Sequence, residues 1–158
     1  MARVLIVGCG CRGQALAAAL VEDGHAVRGT TRDEGRLPDV EAAGAEAALA
    51  DPDRLATLLP CLAGVSVVCW LMGSADLPAV NGPRLHALVE KLVDTPVRGL
   101  VYEAAGAARP AALEGGAAIV AAASETYRMP VEMIDVDPAD HAAWLAVARG
   151  AVGRLLAG

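Results

Sequence analysis

Phenylalanine is absent from this 158-residue chain, and aromatic residues make up only 3% of it. The core must therefore come from Ala, Val, Leu and Ile, within a hydrophobic content of 55%. That content, with only 20% charged residues, excludes an intrinsically disordered chain. Lysine is nearly missing as well: Lys91 is the only one. Any chemistry that needs a lysine has that single candidate. No apolar run reaches the roughly 18 uncharged residues of a membrane helix. The start, Met1 to Gly8, is too short and too glycine-punctuated for a signal peptide. The formal charge of −6 argues against a general nucleic-acid binder. A cytoplasmic location is expected, with neither membrane nor nucleic acid as a partner. The length suits one domain spanning 1–158, without a separate substrate domain.

Cysteine is sparse, at Cys9, Cys11, Cys61 and Cys69. Without a secretion signal these read as thiols. Cys61 and Cys69 lie in apolar stretches and read as small buried hydrophobes. Cys9 and Cys11 flank Gly10 where a helix begins, a setting that favours thiolate. No second Cys or His pair completes a four-ligand zinc set, so no metal site is expected.

What is present is a regular alternation. Val4–Val7 is a continuous apolar run, as a strand buried on both faces requires. A helix is expected over 14–22, stopped by Asp23-Gly24. Further strands are expected over 25–30, 46–50, 65–71, 97–102 and 131–136. Helices fall between them: one capped by Asp51 or Asp53 and running to about 62, then 83–93 and 111–127. Gly115-Gly116 is a candidate break in the last of these. Asp137-Pro138 is expected to cap a final helix ending near 156. Strand and helix alternating throughout predict an α/β fold: a single-domain, doubly wound, six-stranded parallel sheet of strand order 3-2-1-4-5-6, the Rossmann arrangement.

The first strand ends in Gly8-Cys9-Gly10-Cys11-Arg12-Gly13, a G-x-G-x-x-G pattern between a strand and a helix. Gly8 allows the tight turn, Gly10 lets backbone approach a pyrophosphate, and Gly13 lets helix pack on strand. The helix amino terminus offers unpaired N–H groups to the phosphates. A dinucleotide site is therefore expected here, the alternative being a tight turn without a ligand. An NAD site usually carries an acidic residue at the end of strand two. Here Thr31 holds that place and Arg32 follows, with no carboxylate until Asp33. A guanidinium suits the 2′-phosphate of NADP. Arg12, inside the turn, is a second candidate for the same phosphate. NADP is accordingly the expected cofactor over NAD.

These residues resemble the NADP-binding domain of atypical and extended short-chain dehydrogenase/reductases. In particular they resemble nitrogen-metabolite-repressor-like and NAD(P)H-binding proteins related to sugar-nucleotide epimerases. The segment 24–33 is similar to that group's second strand, and 44–51 to its third. The resemblance implies Asp51 as an adenine contact, and Leu71, Met72 and Gly73 as residues lining the cofactor. Two features depart from it. The glycine turn is the shorter dinucleotide form rather than G-x-x-G-x-x-G. The family's Tyr-x-x-x-Lys pair is missing, because Tyr102 and Tyr127 are followed at the fourth place by Gly106 and Val131. No match to the family's carboxy-terminal substrate-binding region is legible either.

Tyr102 and Glu103 end strand five, where ligands of such sheets bind, and are weak catalytic candidates. The plainer expectation is a solvated loop glutamate beside a half-buried tyrosine. His25, His86 and His141 form no legible nucleophilic arrangement. Three functions follow. One is an NADP(H)-binding or redox-sensing module without standard short-chain reductase catalysis. The second is an atypical NADP-dependent oxidoreductase or epimerase-like enzyme acting on an unknown small molecule. The third is a degenerate Rossmann scaffold serving protein interaction only. Hydride transfer needs a nicotinamide shielded from water, so that second function implies a homodimer supplying a lid.

Overall fold

The computed structural model describes residues 2–158. Six parallel strands form one sheet, in the order β3-β2-β1-β4-β5-β6. They are β1 (Arg3–Val7), β2 (Ala26–Thr31), β3 (Glu46–Leu49), β4 (Val67–Trp70), β5 (Gly99–Glu103) and β6 (Val131–Ile134). This is the doubly wound arrangement expected from the sequence. The strand order reverses between β1 and β4, which opens a crevice at their carboxyl ends. Five α-helices connect the strands, α1 (Cys11–Glu22), α2 (Leu37–Ala42), α3 (Leu55–Leu58), α4 (Pro83–Leu92) and α5 (Pro110–Tyr127), and α6 (His141–Ala157) follows β6. Among the described residues no helix is long and apolar enough to cross a membrane.

β1 lies at the centre, paired with β2 and β4. Val4, Leu5, Ile6 and Val7 are all 0% exposed. Alternation sends Val4 and Ile6 to one face, against Leu16, Leu20, Trp144 and Ala148 of α1 and α6. Leu5 and Val7 reach the other face, against Leu85, Leu88 and Val120 of α4 and α5. Each such side chain contributes roughly 1.5–3 kcal/mol by leaving water. The two tryptophans take up much of the volume that phenylalanine would otherwise fill. Trp70 is buried in the second layer, where its indole N–H donates to Val80 O at 2.9 Å.

Several boundaries differ from the sequence expectation, each for a local reason. α1 begins at Cys11, already within the glycine motif, because Gly10 O accepts from Gln14 N at 2.8 Å. α5 runs unbroken through Gly115-Gly116. A Cβ at Gly116 would collide with the Tyr102 hydroxyl, so this glycine gives the tyrosine room rather than ending the helix. Asp51 and Asp53 cap no helix. Asp51 Oδ1 accepts from Asp53 N in a turn, and α3 is a single turn that passes into a 3₁₀ segment at Leu59–Leu62 around Pro60. The cap of α6 is Asp140, whose Oδ1 accepts from Ala143 N at 3.2 Å. Asp137 instead accepts from Ala139 N.

Burial raises the pKa of four acidic groups in these layers, Cys61 among them. Cys9 is pushed up to about 11 and Cys69 to about 12. Tyr102 rises to about 12, through burial and then the neighbouring Glu103 charge. The unfolded chain sheds the same protons from the usual 9.0 of a thiol and 10.0 of a phenol. Above pH 9 the native state therefore holds more protons, and stability falls as pH rises towards 12. The loss from Cys9, Cys69 and Tyr102 alone should reach roughly 6 kcal/mol by about pH 11. Urea midpoints measured from about pH 8 upward check this, and a midpoint that does not move would contradict it.

Candidate functional site

The glycine turn has the geometry a phosphate cradle needs. Gly8 has φ +86°, and a Cβ there would meet Leu71 O at 2.7 Å as well as the Met72 methyl. Only glycine holds that backbone without strain. A Cβ at Gly13 would meet Gly8 O at 3.1 Å and Ile6 Cγ2 at 3.2 Å, so α1 lies tight on β1. A Cβ at Gly10 would meet nothing: the face over this residue is open. Gly10 is the N-cap of α1 and offers no side-chain cap. The amides of Cys11, Arg12 and Gly13 therefore have no helical acceptors. The turn is anchored from β2, where Thr30 O accepts from Cys9 N at 2.9 Å and Thr30 Oγ1 from Gly8 N at 3.2 Å.

Above the turn lies a cleft of about 600 Å³. It is bordered by the glycine turn, by Thr31 at the end of β2 and Arg32 and Arg36 beyond it, by Ala50 and Pro52 after β3, and by Leu71, Met72 and Ser74–Leu77 after β4. Arg32 and Arg36 are exposed. Asp33, the first carboxylate after β2, is committed locally. Its Oδ1 accepts from Gly35 N at 2.9 Å, and Oδ2 lies 3.7 Å from Arg36 Nε. At this end the cleft is thus bordered by two guanidinium groups, and Asp33 is not among the residues lining it.

The other end is closed by a buried carboxylate. Glu103, the last residue of β5, is 0% exposed. It accepts from Arg12 Nε at 2.9 Å, Arg12 Nη2 at 3.0 Å, Gly73 N at 2.8 Å and Trp144 Nε1 at 3.0 Å. The Arg12 guanidinium also lies 5.8 Å from the Trp144 ring centroid, a cation–π arrangement. The expectation of a solvated glutamate and a half-buried tyrosine is corrected, because Tyr102 is also 0% exposed. Its hydroxyl donates to Asn81 Oδ1 at 2.9 Å, and Asn81 Nδ2 donates to Met72 O at 3.0 Å. Both side chains point into the molecule because β5 is an inner strand, covered on each face by helices.

Ten of the residues singled out from the sequence border the cleft together: Gly8, Cys9, Gly10, Cys11, Arg12, Gly13, Thr31, Arg32, Leu71 and Met72. Asp51 and Gly73 do not. The Asp51 carboxylate turns to its own loop, and Gly73 sits beneath Glu103. Arg36 was not anticipated, although a second arginine four residues after Arg32 was a usable signal. Ser74–Leu77 carried none. Cys9 is buried, with its Sγ packed against Gly29 of β2, where even a Cβ would lie 2.7 Å away. Burial thus raises the Cys9 thiol pKa, where a helix amino terminus was expected to favour thiolate. Cys11 is exposed, and all four cysteines are free. The histidines are scattered, with His86 paired to Glu90 at 3.0 Å. Among the described residues no group of three His, Cys, Asp or Glu could hold a metal ion.

No family model and no curated protein matches the sequence. Solved structures do match the fold. A short-chain dehydrogenase/reductase superfamily protein from Agrobacterium tumefaciens, solved with bound NAD, is similar over 83% of this chain and 48% of its own, at 20% identity and a TM-score of 0.68. UDP-glucose 4-epimerase from Thermotoga maritima, solved with UDP-glucose, is similar over 83% and 54%, at 11% identity and 0.69. Vestitone reductase from alfalfa is similar over 84% and 56%, at 14% identity and 0.66. The chain spans about half the length of these proteins. At such identities the likeness is one of fold, the doubly wound Rossmann arrangement described above.

Two measurements follow from the geometry. Arg12→Ala strands a buried carboxylate and should lower the unfolding free energy by about 3 kcal/mol. A loss under about 1 kcal/mol in urea unfolding would show that the pair holds little. Separately, a thiol reagent at about pH 8 should modify Cys11 alone in the native chain and all four cysteines after unfolding. Rapid native labelling of a second thiol would count against the burial described above.

Proposed function

We propose that this chain is an NADP(H)-binding module without standard short-chain reductase catalysis. The observation that carries this is the cleft itself. Free amides at the start of α1 face an open space over Gly10, and two guanidinium groups border the cleft at the end of β2. The amides suit a pyrophosphate. Arg32 and Arg36 suit a 2′-phosphate through charge-assisted hydrogen bonds. Arg12 has a different task, because its guanidinium is engaged by Glu103. Ala50 and Pro52, at the end of β3, form the wall for an adenine ring. Leu71 and Met72 border the path leaving the pyrophosphate. The NAD bound to the Agrobacterium neighbour supports a nicotinamide dinucleotide as the ligand class.

The oxidoreductase reading draws less support from this geometry. A catalytic tyrosine needs its hydroxyl at the substrate and a lowered pKa. Tyr102 is buried against Asn81 and raised to about 12. Glu103 has its oxygens occupied by four donors.

Calorimetric titration with NADPH and NADH tests the proposal. NADPH should bind more tightly by at least about tenfold, the worth of one hydrogen bond to a charged group. Arg32→Ala should remove most of that preference and leave NADH affinity unchanged. Equal affinities for the two nucleotides in the wild-type chain would overturn the 2′-phosphate assignment.

A further inference from the structure

A doubly wound sheet places the two halves of a dinucleotide on opposite sides of the reversal point, one over β1–β3 and the other over β4–β6. In this chain the open cleft covers the first side and the β4 edge of the second, and does not reach β5 or β6. Among the described residues, those bordering the 600 Å³ cleft follow β1, β2, β3 and β4, and none follows β5 or β6. The reason is built into the loops. Arg12 reaches across from α1 to Glu103 at the end of β5, with its guanidinium beside Trp144. Beneath it, the loops after β4 and β5 are joined along their length. Gly73 N donates to Glu103 Oε1 at 2.8 Å, Gly73 O accepts from Ala108 N at 2.9 Å, and Ser74 Oγ accepts from Ala107 N at 3.0 Å. Gly106, at φ +151°, is packed so closely that a Cβ would strike Gly73 O and lie 2.7 Å from Ser74 Oγ. The carboxyl ends of β5 and β6 open instead onto a separate depression of about 480 Å³, between Gly106 and Asp137.

We infer that the cleft recognises the adenosine 2′-phosphate and diphosphate portion of its nucleotide and leaves the nicotinamide ring outside, in solvent. The inference rests on the NADP(H) reading above and narrows it. The way from the cleft to the end of β5 is blocked by the Arg12 guanidinium, which is held by Glu103 and lies beside Trp144. Removing that group from Glu103 would strip a buried carboxylate of two charge-assisted hydrogen bonds, and the ring nitrogen of neither NADP⁺ nor NADPH carries an N–H to replace them, so the closed arrangement resists displacement. Two consequences follow. Binding does not distinguish NADP⁺ from NADPH, so the chain responds to the amount of the cofactor and not to its redox state. Molecules that keep the phosphorylated adenosine diphosphate but lack nicotinamide are ligands of equal rank.

The test is calorimetry on the wild-type chain with NADP⁺, NADPH and 2′-phospho-ADP-ribose, which lacks only the nicotinamide. The three dissociation constants should agree within about threefold. If either dinucleotide binds more than about threefold tighter than 2′-phospho-ADP-ribose, the ring is held and the inference is overturned, while the NADP(H) reading stands. If none of the three binds, the NADP(H) reading itself falls and the inference falls with it.

Discussion

A carboxylate without access to water holds the functional end of this molecule together. Glu103 receives the glycine turn through Arg12, the β4 loop through Gly73 and the last helix through Trp144. Burying a charge is costly unless its lone pairs are filled, and here four donors fill them. The same cost makes the arrangement hard to disturb piecemeal, because losing any donor leaves a deficit in a low-dielectric setting. Three segments far apart in sequence are thereby held in fixed relation, and the shape of the cleft depends on that relation.

The glycine turn depends on a different constraint, the absence of side chains. Gly8 permits the left-handed backbone, Gly13 the close approach of α1 to β1, and Gly10 leaves the space above the turn empty. Helix amides and dipole then face that space with nothing from the protein to satisfy them. Beside it, Asp33 is drawn to its own 3₁₀ turn, leaving Arg32 and Arg36 on the border of the cleft. The site combines an anion cradle at its centre with positive charge at one end and an internally compensated charge pair at the other.

The architecture was legible because its signals are local. Apolar runs such as Val4–Val7, Val67–Trp70 and Gly99–Tyr102 must be covered on both faces, and their alternation with helical stretches leaves few topologies. The glycine pattern was legible for the same reason, since three positions in six residues state its geometry. The Glu103 network was not. Arg12 and Glu103 stand 91 residues apart, and a glutamate ending a strand carries no local mark of burial. Gly116 misled for a related reason: its purpose is space for Tyr102, a partner from another strand. Asp137 was expected to cap the last helix, and only the backbone shows that Asp140 reaches the helix amide while Asp137 serves its own turn.

The central claim is that nucleotide occupies the β1–β3 side of the crevice while the Arg12–Glu103 pair stays closed. Amide and indole shifts in a ¹⁵N-correlated NMR titration with NADP⁺ test it directly. The account predicts shifts at Gly8–Gly13, Thr31, Arg32 and Arg36. The Trp144 indole and the amides of Ala104–Gly106 and Asp135–Asp137 should stay where they are. Shifts concentrated at that second group would place the ligand over β5 and β6 and contradict the account.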